Sequence, residues 1–336
     1  MTSYPALANL LTPSAHQLMP IALSEGTDPR VVQGALAAAN SGLARVILVG
    51  NEGDIRKELA DQGAETSDTV SIHDPATSNL SPSFAEEFFQ LRKHKGVDLD
   101  TATKAVTDPL IYAAMLVRLG HASGTVGGAV ATTPDVVRAA LQVIGKAPDS
   151  ALVSSFFLMA PPEGAADPAR AMVYSDCGLV IEPSESELSA IAAASCASLR
   201  ALLNEEPKVA FLSFSTKGSA AHPNVDKVSN AAKLFAAEHP DIPADGELQF
   251  DAAFLPSVAA TKAPDSVAAG QANVMIFPSL DAGNIAYKIT QRLGGYAAIG
   301  PIMQGLAKPA NDLSRGCSAE DVTTMIAVTV RQALGS

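Results

Sequence analysis

The sequence predicts an α/β protein built on parallel sheet, and three observations predict it. Solidly apolar runs of strand length recur, at residues 18–23 and 44–50 first. Amphipathic helical stretches separate them. Polar turns bearing Gly or Pro close each run. A strand buried on both faces reads as a continuous apolar run, and such runs alternating with helices describe a sheet covered on both sides. Ligand sites in these sheets gather outside the carboxyl ends of the strands. The turns that follow strands are therefore where function is to be sought.

Composition narrows the class. At 336 residues the chain is long enough for two domains, and the Gly-Lys-Ala-Pro-Asp-Ser stretch at 145–150 is a boundary candidate. With 47% hydrophobic and 17% charged residues it can bury a sizeable core and is not disordered. A formal net charge of −12 excludes a general binder of nucleic acid or membrane surfaces. A small anion would need a local cluster of Arg and Lys. Cys177, Cys196 and Cys317 show neither a disulfide framework nor zinc spacing, and no metal site is expected. They fit a reducing, cytoplasmic setting. No basic-then-apolar leader is read at the N-terminus, and no apolar run reaches the ~18 residues of a membrane span.

In order, the 18–23 strand runs into the polar turn Ser24-Glu25-Gly26-Thr27-Asp28. Thr27 or Asp28 can cap a helix through Ala39, with Pro29 in its first turn. Strand 44–50, helix 52–62 and strand 69–72 follow. Helix 84–95 carries Phe84, Phe88 and Leu91 on one stripe and ends in Arg92-Lys93-His94-Lys95. That basic cluster reads as a solvated helix end favoured by the dipole, or as an electropositive wall for an anion. After helix 109–119 comes a glycine-rich turn, with Thr133 read as N-cap and Pro134 as the first helical residue. Arg138 lies one turn into the helix, which ends at Ile144. A helix N-terminus presents amides to an anion; the plainer reading is an ordinary strand-turn-helix with a surface arginine.

Beyond the boundary come strands 151–158 and 171–174 and an Ala-rich helix 184–203. Strand 208–212 feeds Ser213-Phe214-Ser215-Thr216-Lys217-Gly218-Ser219, a polar loop without P-loop spacing. Helix 225–237, strands 248–251 and 274–277, and helix 285–293 complete this half. The segment 302–336, ending in an amphipathic helix 319–334, is assigned back to the first domain. The expected division is 1–150 with 302–336 against 151–301.

The densest chemistry lies at 305–321, Gly-Leu-Ala-Lys308-Pro-Ala-Asn311-Asp312-Leu-Ser314-Arg315-Gly-Cys317-Ser318-Ala-Glu320-Asp321. A hydroxyl, a guanidinium and a thiol fall within four residues, on turn-forming sequence. Ser318 and Asp321 fit a capping pattern, in which Asp321 only stabilises the helix start. Asn311 and Asp312 read as turn formers. Cys317 reads as a small buried apolar residue, or as a nucleophile that would form an acyl-enzyme.

This run, together with Pro278-Ser-Leu-Asp-Ala-Gly-Asn284, the 213–219 loop and Asp28-Pro-Arg30, resembles the phosphate acetyltransferases (phosphotransacetylases) from about Pro20 onward. The resemblance implies two three-layer α/β/α domains with a cleft between them, similar to the isocitrate/isopropylmalate dehydrogenase-like fold, and a homodimer. It implies reversible acetyl transfer between acetyl phosphate and CoA, giving acetyl-CoA and phosphate, with no tightly bound cofactor. Ser314, Arg315 and Asp321 carry that reaction by similarity. The resemblance also places Arg92, Arg138, Thr132 and Thr133 near the acyl phosphate. From the residues themselves, Lys308 adds positive field, and Asn284, with Tyr287 and Lys288, reads as a CoA contact or as an ordinary helix start. The chain departs from the usual pattern at His121-Ala-Ser123 and ahead of Gly128-Ala129. A free Asp at ~3.9 is roughly 4.6 units, or ~6 kcal/mol, below a thiol, so thiolate stabilisation by Arg315 and Ser314 must help any Asp321 base. Competing readings are a phosphate butyryltransferase, a silent acyl-CoA-sensing domain, and a metal-dependent dehydrogenase. The last lacks its aspartate cluster and glycine fingerprint.

Overall fold

A computed structural model describes residues 4–13 and 18–335. In chain order the strands and α-helices are β1 (Pro20–Leu23), α1 (Pro29–Asn40), β2 (Arg45–Val49), α2 (Glu52–Asp61), β3 (Val70–His73), α3 (Ser81–Arg92), α4 (Leu99–Ala105), α5 (Pro109–Arg118), β4 (Gly124–Gly127) and α6 (Thr133–Val143). Then come β5 (Ser154–Ala160), β6 (Met172–Ser175), α7 (Glu185–Leu203), β7 (Val209–Leu212), α8 (Pro223–Glu238), β8 (Ala244–Leu248), α9 (Phe250–Phe254), α10 (Pro256–Lys262) and β9 (Val274–Ile276). The chain closes with α11 (Leu280–Gly294), β10 (Ala297–Gln304), β11 (Ala310–Asp312) and α12 (Ala319–Leu334).

Two compact units result. One comprises residues 10–148 and 306–336, the other 149–305 with the N-terminal stretch up to Asn9. The last segment, from Leu306, lies in the first unit, and the stretch up to Asn9 lies in the second.

The first unit holds a five-stranded sheet ordered β11-β4-β1-β2-β3, parallel throughout. β1 and β2 are almost wholly buried, as their apolar runs require. Asp28 caps α1 by accepting the Arg30 amide, and Pro29 occupies its first position. α12 packs directly on α1. A Cβ at Gly34 would lie 2.6 Å from both the Ala319 carbonyl oxygen and the Val322 Cβ. Only a residue without a side chain lets these two helices approach so closely.

β4 and β11 are where local reading misleads. Gly124-Thr-Val-Gly127 is a buried inner strand, not merely a turn. Asn311 and Asp312 are not turn formers: both lie in β11 with no exposed surface. Asn311 satisfies its amide by donating to Thr329 Oγ1 at 2.9 Å and Gln332 Oε1 at 2.7 Å. Partners from α12, 18 and 21 residues away, make this burial possible.

The second unit has a six-stranded sheet, β10-β5-β6-β9-β7-β8. It is mixed: β10 and β6 run antiparallel to β5, and the remaining pairs are parallel. β10 escaped sequence reading because Gly300-Pro301 interrupts it; its register slips between Ile299 and Ile302, which an edge strand tolerates. The strand read at 248–251 lies earlier, at β8, and 250–254 is helical. The polar residues of the edge strand β8 are met by the 213–219 loop: Asp245 pairs with Lys217, and the buried Glu247 accepts Ser215 Oγ and the Gly218 amide. α7, 19 residues long, has the length and apolarity of a membrane span, which the apolar-run reading did not register. It packs on α8, β6 and β9 as a core helix.

Candidate active site

The first unit's candidate site forms where three turns leave the carboxyl ends of β1, β4 and β11, adjacent strands of one sheet. One guanidinium ties them together. Arg30 Nη1 donates to the carbonyls of Arg315 at 2.8 Å and Cys317 at 3.2 Å. Its Nη2 donates to the Ala129 carbonyl and to Asp28 Oδ2, each at 2.8 Å, and Nε donates to Asp28 Oδ1. The Asp28 pair is a two-bond fork, which fixes the guanidinium plane. That bond holds the Asp28 carboxyl below its ordinary value and pushes Arg30 up. Arg30 therefore anchors the backbone of the 314–317 loop and leaves its side chains unanchored.

A second carboxylate organises the β4 turn. Glu25 accepts the backbone N–H groups of Ala129, Val130 and Ala131 at 2.6, 3.0 and 2.6 Å. The turn ahead of α6 is thus already occupied by an anion of the protein itself. Next to it the Thr133 hydroxyl donates to Asp312 Oδ2 at 2.5 Å. Burial pushes the Asp312 carboxyl up to about 7; the Thr133 bond and the Leu313 amide oppose this and the Glu25 charge adds to it.

A family model described as "Phosphate acetyl/butaryl transferase" matches residues 7–330. A phosphate acetyltransferase of Paracoccus denitrificans is 49% identical over 312 residues, 93% of this chain and 94% of its own. A crystal structure of a phosphotransacetylase from Streptococcus pyogenes is similar with a TM-score of 0.90, at 42% identity over 98% of each chain. The chain belongs to the phosphate acetyl/butyryl transferase family. A branched-chain phosphotransacylase from Enterococcus faecalis V583, with a TM-score of 0.68 at 18% identity over 94% of this chain and 99% of its own, matches in fold alone.

Against this phosphate acetyl/butyryl transferase frame, the residues singled out from sequence sit as follows. Ser314 and Arg315 lie exposed on the Arg30-anchored loop, and Ser314 Oγ accepts the Gly316 amide at 3.2 Å. Asp321 stands at the third position of α12 in a complete capping box. Its Oδ2 accepts Ser318 N at 2.8 Å and Ser318 Oγ at 3.0 Å. Arg92 ends α3, and among the described residues its guanidinium meets no acid. Thr132, not Thr133, is the N-cap of α6, and its hydroxyl donates to Asp135 at 2.7 Å. Arg138 pairs with the same Asp135 at 2.6 Å on the surface. Lys308 lies before β11, at the opposite end of that strand from Ser314, and donates to the Val117 carbonyl at 2.9 Å. It caps the end of α5, where a cation offsets the helix dipole.

In the second unit, Asn284 is already engaged: it donates to the Cys177 carbonyl, after β6, at 3.1 Å and accepts Lys288 of its own helix at 2.5 Å. The 213–219 loop is held by acids rather than open to a phosphate. Glu247 Oε1 accepts Ser215 Oγ at 2.9 Å and the Gly218 amide at 2.7 Å, and Lys217 pairs with Asp245. Beside that loop a pocket of about 380 Å³ opens between Leu212, Phe214, Phe250, Phe277 and Lys227. Cys317 is buried; its thiol is pushed up by desolvation, against the pull of Arg30. Such a thiol is a poor nucleophile.

Glu25 and Arg30 were not singled out as site residues. The signal was present: Glu25 lies in the turn after the first apolar strand and Arg30 in the first turn of the helix that follows, both at the carboxyl end of that strand.

Proposed function

We propose that this chain catalyses reversible acetyl transfer between acetyl phosphate and CoA, by direct thiolate attack within a ternary complex. The observation that carries the reading is the 314–317 loop. Arg30 anchors its backbone while the Ser314 and Arg315 side chains stand exposed at the carboxyl end of the sheet. A loop built this way holds functional groups ready without spending their hydrogen bonds on the fold. Family membership adds the reaction class.

In this mechanism Arg315 stabilises negative charge on the carbonyl and phosphoryl oxygens, where its planar fork suits the geometry. Ser314 donates to the thiolate or to the oxyanion that forms. Asp321 takes the thiol proton of CoA through Oδ1, while Oδ2 keeps the capping box closed. Arg92 and Arg138 bind the phosphoryl group, Arg138 by exchanging its Asp135 partner for substrate. The second unit's apolar pocket, with Lys227 at its wall, suits the flexible, partly apolar CoA molecule. Attack by Cys317 is disfavoured by its buried thiol. We place the enzyme in the cytoplasm, where its three free cysteines stay reduced, and as a homodimer through an apolar stripe of α11.

The test is thioester formation from acetyl phosphate and CoA with wild type, Arg315→Ala and Asp321→Asn. Robust wild-type turnover should drop by at least about a hundredfold in Arg315→Ala, the scale of a lost transition-state donor. Unchanged turnover in Asp321→Asn would remove the base assignment. A folded wild type inactive with acetyl and butyryl phosphate would overturn the reading.

A further inference from the structure

Asp312 ends β11 with no exposed surface. Its Oδ2 accepts the Thr133 hydroxyl, and its Oδ1 finds no partner among the described residues. The backbone crowds that orphaned oxygen, since a Cβ at Gly128, whose φ is +99°, would lie 2.1 Å from it. An ionised carboxylate so placed is costly, whereas a neutral carboxyl is tolerated.

Among the described residues no cation pairs with Asp312: Arg315, on the loop after β11, stands exposed, and Lys308, before β11, donates to the Val117 carbonyl. β4 carries no titratable side chain. α6 brings Asp135 and Arg138, already paired with each other. α12 opens with Glu320 and Asp321 and closes with Arg331, which donates to the Thr12 carbonyl. The turn after β1 brings Glu25, and Arg30 beyond it is held by Asp28. The balance favours the proton, and burial raises Asp312 to about 7.

Resting on the acyl phosphate reading of the Thr132–Arg138 turn, we propose that the neutral Asp312 carboxyl makes the Thr133 hydroxyl a hydrogen-bond donor to the phosphoryl oxygens of the substrate. A hydroxyl has one proton. With Asp312 ionised, that proton is committed to Oδ2, and Thr133 meets the ligand with lone pairs only. With Asp312 neutral, the carboxyl O–H donates to Thr133 Oγ1, and the threonine proton turns to the ligand. Thr133 is partly exposed and Asp312 is not, so the acid acts through the threonine. Asp312 is a positioning residue that reads pH and sets the polarity of a substrate contact. A carboxylic acid kept neutral by burial in order to serve as a donor is an established device.

The experiment is the pH dependence of KM for acetyl phosphate at saturating CoA, from about pH 6 to 8.5, on either side of the raised value. The acyl phosphate stays dianionic over this window, so a change in KM belongs to the enzyme. Wild type should show KM rising by on the order of tenfold across the range, the worth of one bond to a charged group. Asp312→Asn, a permanently neutral donor, should hold KM low and flat. Thr133→Val should give a high, pH-independent KM. An Asn variant whose KM climbs as in wild type overturns the proposal, as does a flat wild-type KM. If Asp312→Asn does not fold, Thr133→Val decides: a wild-type KM profile overturns the proposal, a raised and flat one supports it. Wild type without any turnover would instead overturn the acetyl-transfer reading.

Discussion

Burial beside a second acid gives Asp312 little to gain from ionising, and that has a consequence for stability. Its carboxyl rises from 3.8 to about 7 on folding, so the folded chain holds the proton more tightly than the unfolded one. The stabilisation is fully present below about pH 4 and is lost as pH rises through 7, by on the order of 3–4 kcal/mol. Asparagine has no such charge to bury. Asp312→Asn should therefore gain on wild type by several degrees of melting temperature between pH 5 and pH 8. Parallel melting curves for the two proteins at both pH values would contradict this. Arg30 and Asp28 work in the opposite sense, each favouring the charged form of the other.

At the scale of elements, α12 does two jobs. Its first turn carries Asp321, whose carboxylate closes the capping box, and its buried face seals the first unit against α1. Gly34 sets the distance between those helices. A methyl there would meet backbone oxygen and a β-branched side chain at 2.6 Å, neither of which can swing aside. Gly34→Ala should cost about 1–3 kcal/mol in urea unfolding. On the proposed role of Asp321 it should also lower turnover, because the shift is passed to that carboxylate. A variant with wild-type stability would mean that α1 and α12 can part freely. β11 shows the same economy: three residues supply a sheet edge, a buried Asn311 bonded to α12, and the acid beneath Thr133.

At the scale of the molecule, one surface stands out. Ile285, Ile289 and Leu293 recur every four residues on α11 and are 57%, 53% and 85% exposed. That spacing aligns them on one helix face. A contiguous apolar stripe of this kind is characteristic of a subunit contact, and it is the face on which the homodimer proposed above rests. Ile289→Glu with Leu293→Glu should halve the mass measured by light scattering. A double variant that keeps the wild-type dimer mass, or a monomeric wild type, would rule out this face.

The sequence by itself determined the α/β class and most helix positions. Apolar periodicity and capping chemistry are local signals: Asp28-Pro29 and Ser318-Ala-Glu-Asp321 announce helix starts without any partner. It also marked the 314–321 stretch as a candidate site, because dense polar chemistry on turn residues is visible in one dimension. It misread Asn311 and Asp312 as a turn, and missed β10 altogether. It singled out neither Glu25 as the anion in the 129–131 turn nor Arg30 as the anchor of the 314–317 loop. Each of these depends on partners far along the chain: Thr133 lies 179 residues from Asp312, Cys317 lies 287 from Arg30, and Glu25 reaches amides about 105 away. Whether a polar residue is a solvated turn former or a buried, neutral acid is set by what surrounds it. Only the parallel order β11-β4-β1 brings those surroundings together.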